Sequence, residues 1–389
     1  MCVVNDKLLG KTTLLMACLV VLLSFRLHGR CADDCFQSTD TGTQAVFSTA
    51  DGEDHLVIPV ETLGEVRRFL IDTGASVTVY DSTLAPHLKR TAASDVLNGS
   101  RRVPIYETPG GTFGPFSLRK SPVIVFDLST FRESFGHAVV GVVGMNDLQS
   151  RILRIDFDNG CTRFLSKVHD GAGDVFDLEF EAGRVPTIKV ALDEHLSVRM
   201  VIDTGSNSEL GFKTKVFDSL VAAENIETGT NLRVVTVAGI ESSPNGSLDE
   251  FRLGRFSQQN LSVTRQSEVS IIGLGYLSRF QVTLDFPNKK MFLKPGKNYG
   301  RESWRDMLGA VMCVKNDEVV LLGVEKTTPA DDAGLSKGDV ILEVNGRKSS
   351  EFSLFQLRRL FGDEGMEREI KFRRGEEVRT VNVLLRRLN

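Results

Sequence analysis

Arg68-Phe69-Leu70-Ile71-Asp72-Thr73-Gly74-Ala75-Ser76 recurs as Arg199-Met200-Val201-Ile202-Asp203-Thr204-Gly205-Ser206-Asn207, 131 residues further along the chain. Each copy follows an alternating run of the kind that forms a half-buried strand: Leu56-Val57-Ile58-Pro59-Val60 before the first, Thr187-Ile188-Lys189-Val190-Ala191 before the second. Some seventy residues after each stands an apolar pair and a glycine, Val142-Val143-Gly144 and Ile271-Ile272-Gly273. Leu148 and Leu277 lie four residues beyond those glycines, and two further strands end in Ile155-Asp156-Phe157 and Leu284-Asp285-Phe286. The last two landmarks repeat at an offset of 129 residues. A single Asp-Thr-Gly is ordinarily a turn or a helix cap. Four landmarks in one order at nearly constant offset mark an internal duplication.

The intervening sequence is rich in β-branched residues, Phe and glycine, with few helical periods. The expected fold is therefore mainly β, with two similar lobes at about residues 40–170 and 171–296. The motifs resemble those of aspartic peptidases, closer locally to the retropepsin-like branch than to the pepsin-like one, with both lobes in one chain as in pepsins. The resemblance implies a bilobal β-barrel fold in which Asp72 and Asp203 form a catalytic pair. It also implies a ψ-shaped loop through Gly144 and Gly273 beneath each aspartate. Thr73 and Thr204 are expected to bond across the lobe interface, and Gly74 and Gly205 to let backbone N–H groups reach the carboxylates. Ser76 is expected to reach the outer carboxylate oxygen, with Asn207 in the matching position of lobe two. A covering flap is expected at Pro109-Gly110-Gly111-Thr112, with Ala238-Gly239 as its counterpart; plain hairpin turns are the alternative for both.

Paired carboxyl groups suit peptide hydrolysis because one takes a proton from water while the other protonates the leaving amide. Two like charges about 3 Å apart cannot both ionise, as is established for aspartic peptidases. Their titration belongs to the pair.

Beyond a polar stretch after Leu293-Lys294-Pro295-Gly296, Thr328-Pro329-Ala330-Asp331-Asp332-Ala333-Gly334-Leu335-Ser336-Lys337-Gly338-Asp339-Val340-Ile341 precedes Val344-Asn345-Gly346. A short helix, a tight turn, a strand and an Asn-Gly hairpin are expected there. This segment resembles the PDZ domains of bacterial envelope proteases, which places a small β-barrel with two helices at about 305–389. By that resemblance Leu308-Gly309-Ala310 is the carboxylate-binding loop, with Met307 where the family has a glycine. Leu354, Leu357 and Leu360 mark the helix beside the peptide groove, Leu357 facing it. Such a domain takes a peptide C-terminus as an added strand. A packing module that binds nothing is the alternative.

The rest of the sequence sets the context. Its 389 residues suit two or three domains, and 41% apolar with 25% charged residues is ordinary for globular chains. A formal charge of −4 gives no reason to expect nucleic acid. Lys7 and Lys11 before the apolar run Thr12 to Phe25 read as a signal peptide at about 1–32, with a membrane-retained signal anchor as the alternative. Export to the periplasm, cell envelope or medium is expected. Of the six cysteines, Cys2 and Cys18 fall in that segment; Cys31 and Cys35 are close enough to pair, and Cys161 and Cys313 read as small buried residues. Neither cysteines nor histidines show metal-ligand spacing, so no metal or cofactor is expected. The reading is an endopeptidase acting on protein or peptide substrates, with peptide C-termini as partners of the PDZ-like part. The alternative is a protease-like scaffold without activity that binds peptides.

Overall fold

The computed structural model describes residues 42–49, 54–97, 101–180, 185–229, 232–236 and 239–388. The expected signal segment, Cys31, Cys35 and Ala238 lie outside the described residues. The structure is mainly β, with several sheets and few helices.

In lobe one, Val57–Thr62 and Glu65–Ile71 form a tight hairpin through Leu63 and Gly64, whose positive φ angles of 52° and 76° are those a two-residue hairpin turn requires. Alternate residues of the first strand point inward, burying Ile58, Val60 and Thr62. The second strand ends on Phe69, Leu70 and Ile71, all buried, and delivers Asp72 at its end. Gly141–Val143 then lies parallel to that strand, pairing Val142 with Leu70 and Val143 with Ile71. Its other edge runs antiparallel to Val79–Asp81, so the later segment threads beneath the loop between them. Val79–Asp81 in turn pairs in parallel with Val123–Phe126.

Lobe two repeats each of these pairings. Pro186–Ala191 and Ser197–Ile202 form the hairpin. Ser270–Ile272 lies parallel to the second strand, with Ile271 opposite Val201. It is antiparallel to Leu210–Lys213, which pairs in parallel with Phe256–Gln266.

The lobes meet in a six-stranded sheet. Its order is Thr43–Ser48, Cys161–Leu165, Ile152–Asp156, Phe280–Asp285, Lys290–Pro295 and Asp174–Asp177. Three strands come from each lobe, in mirrored order about the antiparallel seam that sets Arg154 opposite Thr283. One apolar cluster runs through both lobes, including Phe164, Ile155, Leu284 and Phe280. Each such side chain contributes about 1.5–3 kcal/mol by leaving water.

From Met307 a separate apolar core begins, around Leu308, Leu321, Ile341, Leu357 and Phe372. Its sheet runs Ala310–Lys315, Glu318–Val324, Val340–Val344, Glu367–Arg374 and Glu377–Leu384, leaving Ala310–Lys315 at one edge. The helix Pro329–Asp332 is capped by Thr328, and Leu354–Arg359 by Ser353. Cys313 is free and buried here, whereas Cys161 is disulfide-bonded, which its reading as a plain buried residue did not include.

Candidate active site

The two Asp-Thr-Gly loops meet at the top of the seam. The amide of Asp72 donates to the Val143 carbonyl at 3.1 Å, and that of Asp203 to the Ile272 carbonyl at 2.9 Å. Each aspartate is thus fastened by the threading strand beneath it. Gly144 and Gly273 follow those strands because nothing larger fits. A Cβ on Gly144 would stand 2.5 Å from the Val77 backbone, and one on Gly273 2.4 Å from the Ser208 carbonyl. Each glycine opens a short helix, Met145–Leu148 or Leu274–Leu277, whose last leucine is fully buried.

The threonines cross the interface reciprocally. The Thr73 amide donates to Thr204 Oγ1 and the Thr204 amide to Thr73 Oγ1, both at 3.1 Å. Each hydroxyl then donates to a carbonyl of the opposite lobe, Thr73 to Ile202 at 2.5 Å and Thr204 to Ile71 at 2.9 Å. All four bonds are buried, where an unmade one costs about 1–3 kcal/mol.

The aspartates face each other at half-buried positions, near enough for each to influence the other's ionisation. Asp72 Oδ1 accepts from the amides of Gly74 at 2.7 Å and Ala75 at 3.0 Å, and Asp203 Oδ1 from that of Gly205 at 2.9 Å. The glycines have a second use. A Cβ on Gly74 would stand 2.7 Å from Asp203 Cγ, and one on Gly205 2.4 Å from Asp72 Cγ. Each lobe therefore clears space for the carboxylate of the other. Burial raises both carboxyls above their usual range, and for Asp203 the neighbouring Asp72 charge adds to it. The pair holds a proton where an isolated carboxylate would have lost it.

Ser76 and Asn207 do not have the expected role. Both are exposed, and among the described residues neither side chain bonds to a carboxylate. The preceding positions take that place through backbone amides, Ala75 on Asp72 and Ser206 on Asp203.

The lobe-one flap position is also corrected. Gly110 and Gly111 are held against the first strand, with Thr62 Oγ1 donating to the Gly110 carbonyl at 2.8 Å and a Gly111 Cβ falling 2.3 Å from the Glu61 carbonyl. The long hairpin between the aspartate loop and the threading strand is Arg90–Leu97 with Arg101–Tyr106. In lobe two the corresponding hairpin is Leu232–Thr236 with Gly239–Ser243, in which Gly239 pairs with Thr236.

Two buried charged residues carry no motif. Glu209 lies six residues after Asp203, and Arg279 six after Gly273. They form a buried ion pair at 2.5 Å, with Arg279 1% exposed. Glu209 also accepts from the Ser262 amide at 2.7 Å and from Ser303 Oγ at 2.5 Å, on the segment leading to the C-terminal unit. At the matching position of lobe one, Thr78 Oγ1 donates to Asp147 Oδ2 at 2.5 Å and lies 3.0 Å from Asn146 Oδ1.

In the C-terminal unit, Gly309 has φ 76° and lies so close to Thr328 that a Cβ would come within 2.3 Å. The loop amides expected to hold a peptide carboxylate already hold one from this chain. Leu308 N donates to Asp306 Oδ1 at 2.9 Å and Gly309 N to Oδ2 at 3.3 Å. Burial pushes the Asp306 carboxyl up to about 6. The edge strand is covered as well. From the helix Leu354–Arg359, Arg358 reaches the Met312 carbonyl at 2.6 Å and the Ser134 carbonyl of lobe one at 2.8 Å. Lys315 pairs with Glu133 at 3.4 Å, and a Cβ on Gly136 would strike Leu354. The lobe-one helix Ser129–Phe135 thus lies over the outer edge of Ala310–Lys315. Leu308, Ala310 and Leu357, expected to contact peptide, are buried at 1%, 7% and 0% exposure. They pack the core because the groove beside them is filled from within the chain.

Residues 307–385 match the family model of the PDZ domain, so the chain carries a PDZ domain at its C-terminal end. A PDZ domain supports a peptide- or protein-binding role. Comparison with curated proteins finds no match.

Proposed function

We propose that the chain is an aspartic endopeptidase in which Asp72 and Asp203 share one proton and activate a water between them. The ionised member takes a proton from that water as it attacks the scissile carbonyl, and the protonated member then supplies the leaving amide. What supports this reading above all is the reciprocal fit of the two loops, in which each lobe's glycine makes room for the opposite aspartate. The crossed Thr73 and Thr204 bonds hold that register without moving parts, which suits preorganised acid–base chemistry. The hairpins over residues 90–106 and 232–243 are the elements assigned to cover an extended substrate. A disulfide at Cys161 fits an oxidising compartment, and with it export.

The PDZ domain is assigned to capture substrate or partner C-termini once Asp306 and the lobe-one helix release the groove. The test is cleavage of an unfolded protein, followed by mass spectrometry, with the parent chain and its Asp72→Asn and Asp203→Asn variants. Either variant should lose activity by at least about 100-fold, the scale of an acid–base contribution. The rate should fall on the alkaline side as the pair gives up its shared proton, at a pH above the ordinary carboxylate range. A folded parent that cuts nothing between about pH 3 and 8, or variants that cut equally well, would end the peptidase reading.

A further inference from the structure

At the entrance to the first strand of lobe one, Asp54 and His55 meet His137, which follows the helix Ser129–Phe135. His137 Nε2 lies 2.9 Å from Asp54 Oδ1, and His55 Nδ1 lies 3.6 Å from the same oxygen. The three donor atoms all fall within 4.8 Å of one another. Tetrahedral zinc with bonds of about 2.0–2.1 Å sets its ligand atoms roughly 3.3 Å apart, so small side-chain adjustments close the triangle around an ion.

His55 supplies an independent reason to expect a ligand. It is only 2% exposed, yet among the described residues Nε2 has no hydrogen-bond partner and Nδ1 has only the long 3.6 Å approach to Asp54 Oδ1. A buried imidazole is normally satisfied on at least one side. Its ring is stacked on Phe135 at 3.8 Å between centroids, which holds the plane of the imidazole.

We propose that Asp54, His55 and His137 bind one divalent transition ion of the zinc class. Two imidazoles and one carboxylate suit zinc, cobalt or nickel better than calcium or magnesium, which prefer all-oxygen sets. His137 is 17% exposed and gives the ion its route in, with water completing the coordination. On binding, His137 carries its proton on Nδ1, and Asp54 exchanges the imidazole hydrogen bond for a shared ion. Arg358 is the opposing charge, since it acts electrostatically on both His55 and Asp54; the Asp54 carboxylate offsets it. The ion would fasten the same segment whose other face covers the PDZ edge strand, so occupancy should also steady that cover.

The test uses the full chain stripped with a chelator, then titrated with Zn2+ by calorimetry and with Co2+ by visible absorption. One equivalent should bind, and Co2+ should give d–d bands of a nitrogen–oxygen site. His137→Ala, at a partly exposed position, should fold with unchanged circular dichroism and weaken binding by at least about 10- to 100-fold. Asp54→Asn should act in the same direction, and His195→Ala, at a remote exposed histidine, should leave binding intact. Absence of saturable one-to-one uptake, uptake unchanged in His137→Ala, or uptake lost in His195→Ala would overturn the proposal.

Discussion

The two lobes present the same loop to the cleft and support it by different means. Behind Asp72, Thr78 donates to Asp147 and lies beside Asn146, all within lobe one. Behind Asp203, Glu209 is ion-paired to Arg279 and bonded onward to Ser303, on the way to the PDZ domain. The backbone frame of each loop, its threading strand and its cross-lobe threonine are matched almost bond for bond. The duplication therefore preserved what shapes the carboxylate pair, while the polar layer beneath diverged. In lobe two that layer became the fastening point of the C-terminal domain.

Substitutions that separate the two layers would sharpen or break this comparison. Arg279→Met should have the largest effect, because it strands Glu209 as a buried charge; such a loss costs about 3–5 kcal/mol. Thr78→Val removes only neutral-donor bonds and should cost about 1–3 kcal/mol. Urea unfolding of both at pH 7 gives the ranking, and equal losses would mean the divergence has no energetic content.

The threonine pair should behave in the opposite way. Thr73→Val and Thr204→Val each remove a buried cross-lobe donor and acceptor, for about 1–3 kcal/mol apiece. The four bonds divide two to each hydroxyl with none shared, so any departure of the double variant from the sum of the two single losses measures coupling through the lobe interface. Simple additivity, read from the same unfolding curves, would show that the two hydroxyls act separately.

A smaller effect should appear at the PDZ loop. The Asp306 carboxyl rises from 3.8 to about 6 on folding, so the folded state holds a proton that the unfolded chain has released between those values. Stability from this group therefore falls as pH rises from about 4 to 6 and is flat above. Asp306→Asn should flatten that slope in unfolding curves taken across the interval. An unchanged slope would mean that the loop amides and solvent already compensate the charge.

The lobes were legible because their signals are local: an apolar strand, then Asp-Thr-Gly, then an apolar pair and Gly144 or Gly273 at a repeated offset. The PDZ domain was legible from Gly334, Gly338 and Asn345-Gly346 for the same reason, since turns write themselves in adjacent residues. The roles given to Ser76 and Asn207 failed because the direction of a loop side chain is not encoded by its place in a motif. Gly110 and Gly111 looked like a flap turn, but their positive φ angles serve a tight contact with the first strand instead. What could not be seen were contacts between distant segments without periodicity: Glu209 with Arg279, His137 with Asp54, and Arg358 with Ser134, 70, 83 and 224 residues apart. The same holds for the groove. A sequence that matches a peptide-binding fold does not say whether the chain fills the groove itself.

The glycines beside the aspartates have one more consequence. Each is a missing side chain in one lobe whose shape is dictated by a functional group in the other. Neither half of the chain therefore contains a finished centre, and a lesion at Gly74 would be felt first at Asp203. Any motion that parts the lobes, whether thermal, mechanical or driven by a partner pulling on the PDZ domain, dismantles the centre without touching a single residue in it. Under the proposed function, turnover would serve as a gauge of how tightly the two halves are shut.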